Sequence, residues 1–189
     1  MRKNLAALLC ASLLVGGPTA ALATQAGDNV ILGGLVLGET TREAFRDQMD
    51  QKGYPVSQMT EDGFDWDEMS ASCLGLPAQK IRIYHHPGDE RGVVVAVAIT
   101  FEKNFGSVNF KNFESSLQKK YGQPVRSVLP FVGNKEIVWT TDLMRITLRE
   151  PHMSFEGTIE YVTRELDEQL RQSQENREQQ KREQLDAMI

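Results

Sequence analysis

Few side chains in this sequence are equipped for chemistry: His85, His86 and His152, Cys73, and an acidic run holding Asp62, Asp65 and Asp67. Three imidazoles brought together would suit a zinc or copper ion. His85 and His86 adjoin the turn at Pro87, and His152 follows Pro151, so that reading requires two turns to meet in space. Adjacent strand residues point to opposite faces, which argues against His85 and His86 sharing one ion. Cys73 with any one of the histidines would supply the thiolate and base of a nucleophilic pair. The competing reading makes Cys73 a small buried residue beside Leu74 and Leu76. The acidic run invites a calcium loop, which needs alternating acids, a glycine at the sixth place and a late glutamate. Asp65 and Asp67 meet only the first demand, and Met69 stands where the next ligand belongs. A solvated turn with Phe64 and Trp66 pointing inward fits the run better. The sequence carries no Gly-rich phosphate loop, H-E-x-x-H, G-x-S-x-G or C-x-x-C signature. No cofactor is expected, and paired catalytic carboxylates cannot be singled out.

The elements that must position these residues are easier to read. Ile81 to His86 alternates as a half-buried strand, Pro87 to Gly92 turns, and Val93 to Phe101 is the strongest strand in the chain. The pair reads as a hairpin. Gly106 to Pro124 reads as a complete helix, with Phe110, Phe113, Leu117 and Tyr121 on one stripe. Asn109 can cap its start, Lys119 and Lys120 occupy its last turn, and Gly122 and Pro124 stop it. Four strand candidates follow at 125–130, 136–140, 143–149 and 155–162, and in the third Met144, Ile146 and Leu148 alternate with Arg145, Thr147 and Arg149. An earlier stretch, Gly38 to Val56, repeats the helix phrase. Gly38 aligns with Gly106, Phe45 with Phe113, Met49 with Leu117, Lys52 with Lys120, and Gly53-Tyr54-Pro55-Val56 with Gly122-Gln123-Pro124-Val125. Thr40 and Glu43 are spaced as a capping box. The match is either an internal duplication or the coincidence of two short helices ended by Gly and Pro, and both remain open.

From Thr163 onward the chain is rich in Glu, Gln and Arg. Glu160–Arg164, Asp167–Arg171 and Glu178–Arg182 have the i,i+4 order that supports a helix. Leu166 and Leu170 begin an apolar stripe that Ser173 and Arg177 break before Leu185 and Met188 resume it. A strict coiled-coil seam would not place Ser and Arg there. The reading is a projecting helix docked at its root, or alternatively one that orders fully on a partner.

The 189 residues carry a formal net charge of −5. Met1-Arg2-Lys3, the apolar run Leu5 to Val15 and Ala21-Leu22-Ala23 form a secretory leader, with cleavage expected after Ala23. Loss of Arg2 and Lys3 leaves a more acidic chain, which excludes the electrostatic footprint of a nucleic-acid binder. Cys10 lies inside the apolar run, but Leu9 before it does not suit a lipid-bearing cysteine. Only Cys73 then remains, so no internal disulfide can form. The later chain has no apolar run long enough to span a bilayer. The expected localisation is the periplasm.

These units make up an α+β protein of antiparallel sheets covered by short helices. Residues 1–23 form the leader, 24–105 and 106–162 two helix-plus-meander units, and 163–189 the charged helix. The pattern resembles the exported α+β domains of the BamE/SmpA family of outer-membrane assembly and of β-lactamase inhibitory protein. The residues that carry the resemblance are Gly38, Phe45, Met49, Gly53 and Pro55 in one unit. In the other they are Phe113, Leu117, Tyr121, Gly122, Pro124 and Trp139. It covers roughly Ile31 to Val162. Two features depart from it: no lipid-bearing cysteine opens the mature chain, and the inhibitory protein's disulfides are missing. The resemblance implies a scaffold whose sheet face or loops bind another protein. The expectation is therefore a periplasmic protein-binding module (adaptor, assembly factor or inhibitor) without catalytic activity, acting on an envelope protein. The alternative is a small-ligand or metal-binding protein, using a pocket between sheet and helices or the three histidines. Oligomeric state is left open.

Overall fold

A computed structural model of the chain describes residues 30–61, 64–86, 88–104 and 107–186. The leader with its cleavage site and Cys10, Gly106, Asp62 and Met188 lie outside the described residues, as do the side chains of Phe64 and Leu185. The elements run α1 (Arg42–Gln51), β1 (Ser57–Glu61), β2 (Phe64–Ser70), β3 (Lys80–His85), β4 (Val94–Glu102), α2 (Val108–Tyr121), β5 (Arg126–Val128), β6 (Lys135–Thr140), β7 (Met144–Glu150), β8 (Glu156–Thr163) and α3 (Arg164–Asp186).

Helix α1 forms because Phe45 and Met49 repeat at i,i+4 and are buried together. Its cap is displaced by one residue from the expected box. The Thr41 hydroxyl accepts the Ala44 N–H at 3.2 Å, and Thr40 Oγ1 accepts instead from Val36 N at 2.9 Å. Helix α2 buries Phe110, Phe113 and Leu117 as its stripe predicts, and Gly122 ends it at φ 78°. Asn109 does not cap it: the Asn109 N–H donates to Asn104 Oδ1 at 3.1 Å, and its Nδ2 donates to the Glu102 carbonyl at 2.9 Å. The stretch read as a solvated acidic turn is instead a hairpin of β1 and β2, paired from Ser57↔Glu68 to Glu61↔Phe64. The expected β3–β4 hairpin is present.

All eight strands form one antiparallel sheet in the order β1-β2-β3-β4-β8-β7-β6-β5. Each of α1 and α2 is thus followed by a four-strand meander. The meanders join through β4 and β8, from Ala96↔Val162 to Glu102↔Glu156. Both helices lie on the same face. Phe45 and Met49 pack over Met69, Ile81, Ile83 and Val97, while the Phe113 ring lies 4.9 Å from that of Phe101. Trp139 is buried among them and donates its Nε1–H to the Gly122 carbonyl at 3.0 Å, tying β6 to the end of α2. Each such large apolar side chain contributes about 1.5–3 kcal/mol on burial. Among the described glycines the tightest surroundings are at Gly157, where a Cβ would stand 2.3 Å from Phe101 Cζ and 2.8 Å from the Arg149 carbonyl oxygen.

The other face is laced by ion pairs: Arg82–Glu68 at 3.0 Å, Arg149–Glu136 at 2.9 Å and Arg149–Glu160 at 2.8 Å. Helix α3 follows β8 without a loop and is fastened at its root by Arg145–Asp167 at 3.1 Å. Of the i,i+4 pairs expected in the tail, Glu178–Arg182 forms at 3.9 Å. Glu160 and Asp167 turn to the sheet arginines instead. Beyond its first turns α3 is exposed. Among the described residues, no helix is long and apolar enough to cross a membrane.

Candidate functional site

Asp67 is the most heavily hydrogen-bonded acid in the fold. It faces the helix side of β2, two residues before Met69, and is fully buried. Arg42 Nη2 donates to its Oδ1 at 2.9 Å, and Arg46, one turn further along α1, donates to the same oxygen at 2.5 Å and to Oδ2 from Nε at 3.1 Å. His85 Nε2 stands 3.1 Å from Oδ2, and its Nδ1 stands 3.0 Å from the Gly92 carbonyl. Burial alone would push the Asp67 carboxyl upward. The hydrogen bonds from His85, Arg46 and Arg42, with the Arg42 charge, outweigh it and hold Asp67 far below the usual carboxylate range.

Just beyond this cluster the sheet opens. Pairing of β2 with β3 ends at Trp66↔Tyr84, whereas β1–β2 continues to Glu61↔Phe64 and β3–β4 to His85↔Val94. The register shift at Tyr84/His85 is a β-bulge, a device that bends a strand away from its neighbour. The two hairpins therefore diverge and leave a cleft of about 980 Å³, walled by Glu61 and Asp65 on one side, by His86 and Glu90 on the other, and by the start of α1.

The sequence candidates are dispersed. His85 lies in the Asp67 cluster with both nitrogens engaged, and His86 lines the cleft. His152 lies in the β7–β8 turn at the opposite end of β4, because His85 pairs with the start of that strand and Glu156 with its end. The three imidazoles weighed as ligands of a shared ion do not converge, as the opposite faces of His85 and His86 already suggest. Among the described residues, no group of three or more His, Cys, Asp or Glu side chains could hold a metal ion. Cys73, half-buried in a short 3-10 turn, packs against the core beside Leu74 and Leu76. The pocket expected between sheet and helix is filled, with about 10 Å³ left among Phe45, Met49, Ile81 and their neighbours.

A second polar cluster, which no motif announced, lies at the far end of the sheet. Buried Glu150 accepts from Ser107 Oγ at 2.6 Å and from Lys135 Nζ at 2.9 Å through the same oxygen. Ser107 takes a left-handed backbone, φ 55°, at the start of α2. Above it the β5–β6 and β7–β8 turns, joined by His152 N–H to Asn134 Oδ1 at 2.8 Å, hold Phe131, Met153 and Phe155 almost wholly in solvent.

No curated protein sequence matches the chain. Among solved structures, the crystal structure of a DUF4309 family protein (YjgB) from Bacillus subtilis is similar with a TM-score of 0.42 and 15% identity, over 70% of this chain and 84% of that one. Residues 93–173, from the start of β4 to the first turns of α3, match the family model of the TP0088 domain.

Proposed function

We propose that this protein is an exported, periplasmic protein-binding module, an adaptor, assembly factor or inhibitor that acts on an envelope protein without catalysing a reaction. One observation carries the reading. Phe131, Met153 and Phe155, with Val132 and Leu129 beside them, stand in solvent at the tips of two linked turns. Large apolar side chains grouped on neighbouring exposed turns mark interaction surfaces. The buried acids point the same way: Asp67 holds the start of α1 through Arg42 and Arg46, and Glu150 holds the start of α2 through Ser107. The duplication fits this reading, with residues 24–105 and 106–162 as two helix-plus-meander copies. Phe45 and Phe113, aligned in sequence, are both buried, and the aligned Lys52 and Lys120 both donate to carbonyls of the segment before α1, those of Gly33 and Val30.

The test is capture from envelope extract on the immobilised chain, on a variant with Phe131, Met153 and Phe155 all changed to Ser, and on a chain ending at 162. One partner retained by the first and lost by the second supports the reading. Identical captures from the first two overturn the assignment of the patch, and no specific capture by any form overturns the module.

A further inference from the structure

We propose that the cleft between the β1–β2 and β3–β4 hairpins receives an extended, lysine- or arginine-rich segment of a partner protein, an inference that rests on the binding-module reading. Charge is the first observation. Every arginine at the cleft is already committed: Arg42 and Arg46 to Asp67, Arg82 to Glu68, and Arg91 to Asp89. Of the lining carboxylates, Glu43, Asp47, Glu61, Asp65 and Glu90 form no ion pair with any described residue. The unbalanced charge facing the opening is therefore negative.

Two unsatisfied polar atoms are an independent observation. Trp66 lines the cleft, is 7% exposed, and holds its Nε1–H buried without an acceptor among the described residues. His86 Nδ1 lines the same cleft and is likewise buried without a partner. Buried polar groups are nearly always hydrogen-bonded, so each orphan specifies what should arrive. The indole is a donor only and requires an acceptor, while the imidazole nitrogen can accept. An extended backbone offers a carbonyl and an N–H in alternation, and basic side chains on it would meet Glu61, Asp65 and Glu90. A polyamine supplies the charge but no acceptor for Trp66. The place is also right for a strand, because β2 beyond Trp66 and β3 beyond Tyr84 have lost each other as partners.

The test is isothermal titration calorimetry of the full chain at low salt with three probes. These are a ten-residue peptide alternating Lys and Thr, the same peptide with Glu for Lys, and spermidine. The lysine peptide should bind and the glutamate peptide should not, and spermidine should bind about tenfold more weakly than the lysine peptide. The double variant E61Q/E90Q should weaken the lysine peptide about tenfold, while E178Q/E183Q, an equal charge change on the exposed part of α3, should alter it less than about twofold. Trp66→Phe, which keeps a ring and removes the N–H, should weaken it several-fold. Absence of binding, equal loss in both glutamine pairs, or spermidine matching the peptide would overturn the cleft assignment. Peptide failure alongside patch-dependent capture removes the cleft and leaves the module, and the opposite pair of results does the reverse.

Discussion

Replacing Asp67 by Asn isolates the contribution of the buried carboxylate without changing its volume. Asn keeps one oxygen, which can still accept from one guanidinium or from His85. Its amide N–H2 would face the other donors, where Arg42, Arg46 and His85 now converge on a single acceptor. Breaking a buried charge pair by removing one partner costs about 3–5 kcal/mol. Arg42 and Arg46 are 22% and 39% exposed and can turn part of their charge to water, so the lower end applies, about 3 kcal/mol. For a domain of this length that lowers Tm by about 6–12 °C. Acid gives a second, sharper readout. The folded carboxyl of Asp67 lies far below its unfolded value, so the unfolded chain binds its proton first as pH falls. The stabilisation is complete above the unfolded carboxylate range, near pH 4–5, and is lost progressively as pH falls toward about 2. Urea unfolding followed by circular dichroism at pH 7, 5, 4, 3 and 2 should show wild type and D67N about 3 kcal/mol apart at neutral pH and converging in acid. A difference under about 0.5 kcal/mol at pH 7, or two curves that stay parallel down to pH 2, would refute the account of Asp67 as the anion that fastens α1 to the sheet.

Gly157→Ala should lose about 3 kcal/mol in urea unfolding, since its Cβ meets a carbonyl oxygen at 2.8 Å and the Phe101 ring closer still; a loss under about 1 kcal/mol would show that β8 can give way. Ser107→Ala and Ser107→Gly both remove the hydrogen bond to Glu150, but only Gly relieves φ 55°, so Gly should be more stable than Ala by about 1 kcal/mol, and equal stabilities would mean no strain is held there. Amide hydrogen exchange should find β1, exposed at every residue and paired on one side only, opening far faster than β4 and β8; protection of β1 equal to theirs would count against its being an edge. Ending the chain after residue 175 should shift Tm by less than about 2 °C in differential scanning calorimetry, because among the described residues α3 is tied to the sheet only around its root, near Asp167.

The covering helices are legible because their signal is local. Phe45 with Met49, and Phe110 with Phe113 and Leu117, lie within one or two turns of each other, and all are buried where the spacing puts them. The strand alternation of Met144, Ile146 and Leu148 survives for the same reason. By contrast β1 reads Ser-Gln-Met-Thr-Glu, an edge strand wet on both faces, so no hydrophobic period betrays it. Asp67 was hidden by its type. An acid flanked by acids looks solvated, and its burial makes sense only with Arg42, Arg46 and His85, which lie 25, 21 and 18 residues away. A faint trace remains: two arginines one turn apart at the start of an amphipathic helix, and an acid two residues before Met69 on the same strand face. The tail pairs were misjudged for a related reason. Glu160 and Asp167 do have arginines at i+4, but Arg149 and Arg145 reach them across the sheet. The same parity that hides Asp67 separates His85, turned to the helix side, from His86.

The two buried acids share a mechanical part in the fold. Each helix lies across a greasy sheet face, and apolar contact alone permits it to slide or roll. A directional tie at one end removes that freedom. In the first half the tie is Asp67 of β2, gripped by Arg42 and Arg46 from the opening turns of α1. In the second it is Glu150 of β7, gripped by Ser107 at the start of α2 and by Lys135. Both anions sit near the positive end of the helix they fasten, where negative charge is favoured. The strands used are different, second in one meander and third in the other, so the likeness is physical and does not follow from register. Asp67 is held by two guanidiniums and the His85 ring, whereas Glu150 is held through one oxygen, and its Oε2 is buried without a partner among the described residues. Unsatisfied groups also line the cleft, at Trp66 and His86, and large apolar side chains stand in solvent at the tips bearing Phe131 and Phe155.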